Sequence, residues 1–95
     1  MVLGIVIGTV VATQKDEKLT GGTLLVVQEL GMDGEPKERY AVAIDSVGAG
    51  VGEVVLVAHG SSARQTTATK SKPVDSVIMA IVDSVEVHGK VIYQK

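Results

Sequence analysis

Residues 2–13 are apolar on both faces of the β-strand that their composition predicts. Odd-numbered and even-numbered positions lie on opposite faces of a strand, and here neither face is polar, so neither face suits water. We expect one face to cover a core and the other to meet more protein. Gly4 and Gly8 share the even-numbered face, which we predict approaches another backbone closely.

Residues 77–87 form the longest apolar run of the chain and also lack strict alternation, which predicts a strand covered on both sides. Between the two runs, Asp33-Gly34 is a strong hairpin signal, and His88-Gly89 predicts a last tight turn. Residues 60–65 could form one helical turn with a serine cap. The predicted strands are residues 2–13, 23–30, 38–45, 53–59, 77–87 and 91–93.

The third of these strands has two unequal faces. Tyr40, Val42 and Ile44 form an apolar face, and a smaller face carries Ala41 and Ala43. Five or six short strands joined by turns, without the spacing of βαβ units, predict an all-β fold, either a small barrel or a sandwich. With 95 residues, we expect residues 1–95 to form a single domain.

The composition excludes several classes of protein. Of the 95 residues, 31 are Val, Ile or Thr, which favours strands over helices. The absence of cysteine argues against a disulfide-stapled secreted module. A net charge of -2 and a mean hydropathy of +0.32 argue against disorder. Residues 1–13 lack a basic leader and are too short to span a bilayer, so we expect a cytoplasmic protein.

The glycine cluster Gly48, Gly50 and Gly52 invites comparison with phosphate-binding loops. The dinucleotide-binding fingerprint requires glycine where Glu53 stands and a helix after it, whereas a strand is predicted here. We therefore interpret the cluster as a tight loop in which glycine allows a positive φ or close packing against a neighbouring chain.

Candidate catalytic and metal-binding residues are few. His59 lies close to Ser61 and Ser62, but the Gly-x-Ser-x-Gly motif of many hydrolases is absent. His59 and His88 are isolated, and there is no cysteine to complete a metal site. We predict no catalytic, cofactor-binding or metal-binding residues and no enzymatic activity.

Several motifs follow one another along nearly the whole chain in an order that resembles one known family. The most specific is VAIDSVGAGVGE at residues 42–53, and GSSAR follows it at residues 60–64. This series resembles the EutN/CcmL family, the pentameric vertex proteins of bacterial microcompartment shells. Residues 38–40 are more similar to the carboxysome members and residues 41–45 to the ethanolamine-utilisation members, so the subtype stays open. The other matching segments are residues 8–11, 55–57, 73–75 and 81–83.

The resemblance implies a five-stranded OB-like β-barrel with one short helical turn, assembled as a cyclic homopentamer. Such a pentamer would cap the vertices of an icosahedral shell and meet hexameric and trimeric shell proteins there. It would need no cofactor, nucleic acid or membrane. The alternative is an OB-like binding module for nucleic acid or a small ligand, but that mode uses stacked aromatics over a basic groove. This chain has two tyrosines as its aromatics and an excess of acidic residues.

A cyclic oligomer joins two different patches on neighbouring subunits, and small side chains allow backbones to pack closely at such a seam. Near the five-fold axis we expect a loop that contains Ser46, Gly48, Ala49 and Gly50. If φ at Gly50 is positive, a bulky residue such as Val there should impair the oligomer or the fold. The residues predicted for the subunit interface are Gly4, Val6, Gly8, Val10, Arg64 and Ile81.

Overall fold

β-strands make up most of the chain that the structure, a computed structural model, describes: residues 1–13, 22–60 and 75–95. The helical turn expected at residues 60–65 and the predicted interface residue Arg64 lie outside these ranges, except for Gly60. The strands of the described residues are β1 Val2–Val10, β2 Thr23–Leu30, β3 Pro36–Asp45, β4 Val54–His59, β5 Ser76–Ile81, β6 Ser84–Val87 and β7 Lys90–Gln94.

The first five strands close into a barrel in the order β1-β2-β3-β5-β4. Neighbouring strands are antiparallel except β3 and β5, which run parallel, with Ile44 paired to Val77. Of the barrel and the sandwich that the strand pattern allowed, the barrel is confirmed. Closure removes the free strand edges that an open sheet of this size would expose.

The barrel interior is filled by aliphatic side chains that point inward from all five strands. Ala43 and Ile78 are fully buried there. The small face of β3 therefore points into the barrel, while its larger face, with Tyr40 and Val42, points outward, because alanine fits a narrow interior. Each buried Val, Leu or Ile contributes roughly 1.5–3 kcal/mol to folding. The inner cluster comprises Val6, Leu25, Val27, Ala43, Val55, Val57 and Ile78.

The expected orientation of the first half of β1 is wrong. Val6 is only 1% exposed and belongs to the inner cluster. Gly4 lies against the side chain of Val27, so its close backbone approach is to β2 of the same barrel. The register of β1 on β2 shifts between Val6 and Gly8, which is a β-bulge. Since a bulge moves the following residues to the opposite faces, the two glycines do not share an environment.

The apolar run 77–87 is not one strand, because β5 ends at Ile81 and a separate two-stranded hairpin, β6–β7, follows. The N–H of Val82 donates to the carbonyl of Val54 at 2.8 Å and ties this break to the barrel. The hairpin turn has positive φ at His88 and Gly89, which confirms the predicted turn. We refer to β6, β7 and Lys95 as the C-terminal hairpin.

The C-terminal hairpin covers part of the side of β1 that points away from the barrel interior. A second cluster outside the barrel contains Leu3, Leu30 and Val54, and side chains of the hairpin region pack on it, among them Val85 and Tyr93. Part of the apolar surface on the outward side of β1 is thus covered by the same chain. The outer surface that the hairpin leaves open lies farther along β1 and on β2 and β3.

Candidate assembly surfaces and the glycine loop

Residues 46–53, here called the glycine loop, connect β3 to β4 across one end of the barrel. Ala49 packs against the inner cluster and so closes that end. At the start of the loop, the Asp45 carboxylate accepts the N–H groups of Val47 at 3.0 Å and Gly48 at 3.1 Å. The Ser46 hydroxyl donates to the carbonyl of Ile78 on β5. These bonds attach the first half of the loop to two strands.

The second half of the glycine loop is attached to β1. The Gly52 N–H donates to the Val6 carbonyl at 2.8 Å, and the Val6 N–H donates to the Glu53 carbonyl at 3.0 Å. Within the loop, the Gly50 N–H donates to Glu53 Oε1 at 2.6 Å, and the Glu53 N–H donates to the Gly50 carbonyl at 3.2 Å. The loop therefore has a defined conformation rather than the freedom that its glycine content would allow.

The positive φ angles of the glycine loop fall at Gly48, with φ 77°, and at Gly52, with φ 93°. Gly50 does not have a positive φ, so the condition under which a bulky residue there would impair the fold is not met. A Cβ built on Gly50 would lie 3.5 Å from Glu53 Oε1, which is an ordinary contact. The left-handed conformation that favours glycine is thus confined to the two positions that flank Gly50.

Glu53 links the glycine loop to the C-terminal hairpin. Its Oε2 accepts a hydrogen bond from Lys95 Nζ at 3.1 Å. The pKa of Glu53 is lowered, mainly because the Gly50 N–H donates to its carboxylate and then because Lys95 does. The pKa of Lys95 is raised by the same pair, through the hydrogen bond to Glu53 and the attraction between the two charges.

A largely apolar surface lies on the outside of the barrel where β1, β2 and β3 run side by side. Gly8 pairs with Val26, which in turn pairs with Val42. Val42 is 49% exposed, and Tyr40, two residues along β3, is 61% exposed. A Cβ on Gly8 would come no closer than 4.0 Å to Val26 Cβ, so the subunit itself does not require glycine there. We call Gly8, Val10, Val26, Tyr40 and Val42 the outer face.

The structure groups some of the residues predicted for the site and separates others. Ser46, Gly48, Ala49 and Gly50 lie together in the glycine loop, and Gly8 and Val10 are partly exposed. Gly4 and Val6 are buried within the barrel. Ile81 is half-buried, opposite Val55 at the end of β5. The residues predicted for the site are thus distributed over the glycine loop, the outer face and the barrel core.

Sequence reasoning did not single out Glu53 and Lys95, or Val26 of the outer face. Glu53 follows the glycine cluster directly, and that position was the available signal. Lys95 carried none, since its partner lies 42 residues away along the chain.

An open pocket lies at a barrel mouth, where apolar inward-facing residues meet charged ones. Its polar lining includes Glu29, Arg39 and His59, and His59 Nδ1 shares a hydrogen bond of 2.8 Å with the buried Ser76 hydroxyl. Ser61 and Ser62 lie outside the described residues. Within the described ranges, no three Asp, Glu or His side chains are grouped to hold a metal ion. Nor does any helix in that part of the chain have the length and apolarity to cross a membrane.

A closed five-stranded barrel, an ordered glycine loop across one end and an apolar outer face define a small β-barrel protein suited to packing against further protein. The comparisons with known proteins then specify the class. Residues 1–83 match the family model described as "Ethanolamine utilisation protein EutN/carboxysome". The chain belongs to the EutN/CcmL family of bacterial microcompartment shell vertex proteins.

Relatives share both the sequence and the fold over almost the whole chain. The carboxysome shell vertex protein CcmL of Synechocystis sp. is 48% identical over 95 residues, covering 100% of this chain and 95% of the relative. The solved structure of Gloeobacter violaceus CcmL superposes with a TM-score of 0.96 at 42% identity, covering 100% of this chain and 98% of that one. GrpN of Rhodospirillum rubrum, a pentameric microcompartment shell protein, gives 0.84 at 49% identity, covering 92% and 100%.

Proposed function

We propose that five copies of this chain form a ring that caps the vertices of a bacterial microcompartment shell in the cytoplasm, and that the chain is structural rather than catalytic. Membership of a vertex-protein family over nearly the whole barrel carries this proposal. The pentameric state of GrpN, which shares 49% of its residues with this chain, supports the ring size. The nucleic-acid alternative would use stacked aromatics over a basic groove, whereas this chain has two tyrosines as its aromatics and a net charge of -2.

The outer face supports the ring physically. A cyclic oligomer must bury one patch of each subunit against a different patch of the next. The outer face offers exposed apolar side chains on the outside of the barrel, and the missing side chain at Gly8 leaves room among them for a side chain of a neighbour. We place Gly8 and Val10 at one side of the seam. Ile81 and Arg64 remain predicted contacts of the same seam.

The glycine loop is the part of the subunit that we place near the five-fold axis. The loop lies at the end of the barrel, where its backbone bonds to β1 and to the Asp45 carboxylate and its Ser46 hydroxyl bonds to β5. A narrow opening between five such loops would be lined by backbone and small side chains. The residues proposed to shape it are Ser46, Gly48, Ala49 and Gly50.

The partners that we propose besides the chain itself are the hexameric and trimeric shell proteins. A sheet of hexagonal tiles is flat, and pentagonal tiles let it close into an icosahedral shell. The ring would meet these tiles along its outer edges, and the chain would need no cofactor to do so.

Native mass spectrometry tests the ring directly. Five chains of 9.8 kDa would give a single species of about 49 kDa. Class averages from electron microscopy should show five-fold symmetry, which separates a pentamer from rings of other sizes. A monodisperse monomer at micromolar concentration would reject the proposal.

A further inference from the structure

We propose that the C-terminal hairpin stabilises the centre of the glycine loop at Gly50, with Lys95 acting there through the Glu53 carboxylate. Lys95 is then a positioning residue, because it does not itself touch the loop backbone. The consequence for an opening at the five-fold axis rests on the proposed function, but the coupling rests on contacts within one subunit.

The Glu53 carboxylate makes the connection with its two oxygens. Oε1 accepts the Gly50 N–H at 2.6 Å, and Oε2 accepts Lys95 Nζ at 3.1 Å. Hydrogen bonds to an ionised carboxylate are shorter and stronger than those between neutral groups. One side chain thereby joins the middle of the glycine loop to the C-terminal hairpin.

Lys95 is held in place by its own backbone. Its N–H donates to the carbonyl of Asp83 at 2.8 Å, at the base of the C-terminal hairpin. That base is tied to the barrel by the bond from the Val82 N–H to the Val54 carbonyl. Tyr93, two residues before Lys95, packs against the cluster of Leu3, Leu30 and Val54 outside the barrel. The Lys95 side chain therefore extends toward Glu53 from a backbone that is already held in place.

The glycine loop is built so that this contact matters. Gly48 and Gly52 have positive φ angles, and a Cβ built on either would meet no atom within 4 Å. Between them, the Gly50 N–H is bonded to Glu53 Oε1, and the Gly50 carbonyl accepts the Glu53 N–H. If the carboxylate turned away, Gly50 would keep only the bond at its carbonyl. The N–H groups of Gly48 and Gly52 would keep their bonds to Asp45 and Val6, so the change would be confined to the centre of the loop around Gly50.

Amide hydrogen exchange of the full chain, labelled with nitrogen-15 and followed by NMR, tests this coupling. In Glu53→Gln, we expect exchange of the Gly50 amide to quicken on the order of tenfold, since its N–H would then bond to a neutral amide oxygen instead of an ionised carboxylate. In Lys95→Met, we expect a rise of about two- to threefold, with shifted Gly48 and Gly50 resonances, because an exposed ion pair contributes little by itself. Lys95→Arg should restore the original spectrum.

Lys90→Met is the matched control. It removes an equal charge from the same hairpin, and Lys90 forms no ion pair with the residues that the structure describes, so the Gly50 amide should not respond. If Lys95→Met leaves the Gly50 shift and exchange unchanged, or if Lys90→Met changes them equally, the coupling is rejected. This holds even if Glu53→Gln fails to fold.

The native mass of the same samples reports the proposed function separately. A monomer whose Gly50 amide responds to Lys95→Met would reject the ring and keep the coupling. A 49 kDa ring whose Gly50 amide ignores that variant would reject the coupling and keep the ring.

Discussion

Gly4 on β1 lies so close to Val27 on the neighbouring strand β2 that a Cβ on Gly4 would collide with a methyl group of Val27. The same Cβ would lie 3.1 Å from the carbonyl oxygen of Gln28, which is a backbone atom and cannot swing aside. The glycine is thus required by β1 and β2 of one subunit. This relationship separates Gly4 from Gly8, which has room for a side chain within its own subunit.

Gly4→Ala should therefore destabilise the subunit, while Gly8→Ala should leave its fold unchanged. Forcing a methyl group into a packed interior costs about 1–3 kcal/mol. Urea unfolding at one fixed protein concentration measures the difference, since oligomerisation makes apparent stability concentration-dependent. Equal midpoints for wild type and Gly4→Ala would contradict the assignment of Gly4 to the barrel core.

In the glycine loop, Gly48→Ala and Gly52→Ala should each lower the free energy of unfolding by about 1–2 kcal/mol, because an L-residue in the left-handed region is strained. Gly50→Ala should have little effect, since Gly50 does not have a positive φ and its Cβ would make an ordinary contact. Thermal unfolding of the three variants measures which of them loses most stability. A larger loss in Gly50→Ala than in the other two would overturn this account of the loop.

Replacing Val42 with Glu should weaken the ring without unfolding the subunit. Val42 is 49% exposed on the outer face, and a charge buried at a subunit seam is costly. Val91→Glu is the control, because Val91 is similarly exposed, at 52%, but lies on β7 of the C-terminal hairpin. By native mass spectrometry over a dilution series, we expect Val42→Glu to dissociate at a concentration at least about tenfold higher than wild type.

The result that would contradict this placement of the seam is the reverse order, with Val91→Glu dissociating and Val42→Glu intact. Circular dichroism of both variants confirms that each subunit is still folded.

The Glu53–Lys95 pair should make stability depend on pH at both extremes. The pKa of Glu53 is lowered from 4.5 on folding, so its contribution is present above 4.5 and is lost as pH falls through the lower folded value. The pKa of Lys95 is raised from 10.5, so its contribution is present below 10.5 and is lost as pH rises through the higher folded value.

The loss of stability at low pH is tested by the melting temperatures of wild type and Glu53→Gln, measured from pH 3 to pH 8 in steps of about one pH unit. We expect the wild type to melt higher at neutral pH and the difference to shrink below pH 4.5. If the difference in melting temperature stayed constant across this range, the ionised Glu53 carboxylate would not be stabilised by Gly50 and Lys95 in the folded state. Glu86→Gln, on the hairpin strand β6, is the control for loss of one carboxylate.

The local patterns of the chain predicted a large part of the fold. The second strand was expected at residues 23–30 and lies at Thr23–Leu30, because turn residues bound it on both sides. The Asp33-Gly34 and His88-Gly89 turns were likewise readable, since their residue types suit the positive φ observed at Gly34, His88 and Gly89. The motif series of residues 42–53 identified the family, which the comparisons confirm.

The sequence by itself determined that the chain is all-β, where most strands begin and end, and that apolar surface exists beyond what one small barrel interior holds. Only the tertiary structure decided which part of this apolar surface is covered by the chain itself. The bulge between Val6 and Gly8 depends on the pairing of β1 with β2, and the break after Ile81 depends on a hairpin that returns to cover Leu3. A strand that is apolar on both sides contains no local signal for its inner face. Contacts distant along the chain choose that face, because they decide how much apolar area leaves water.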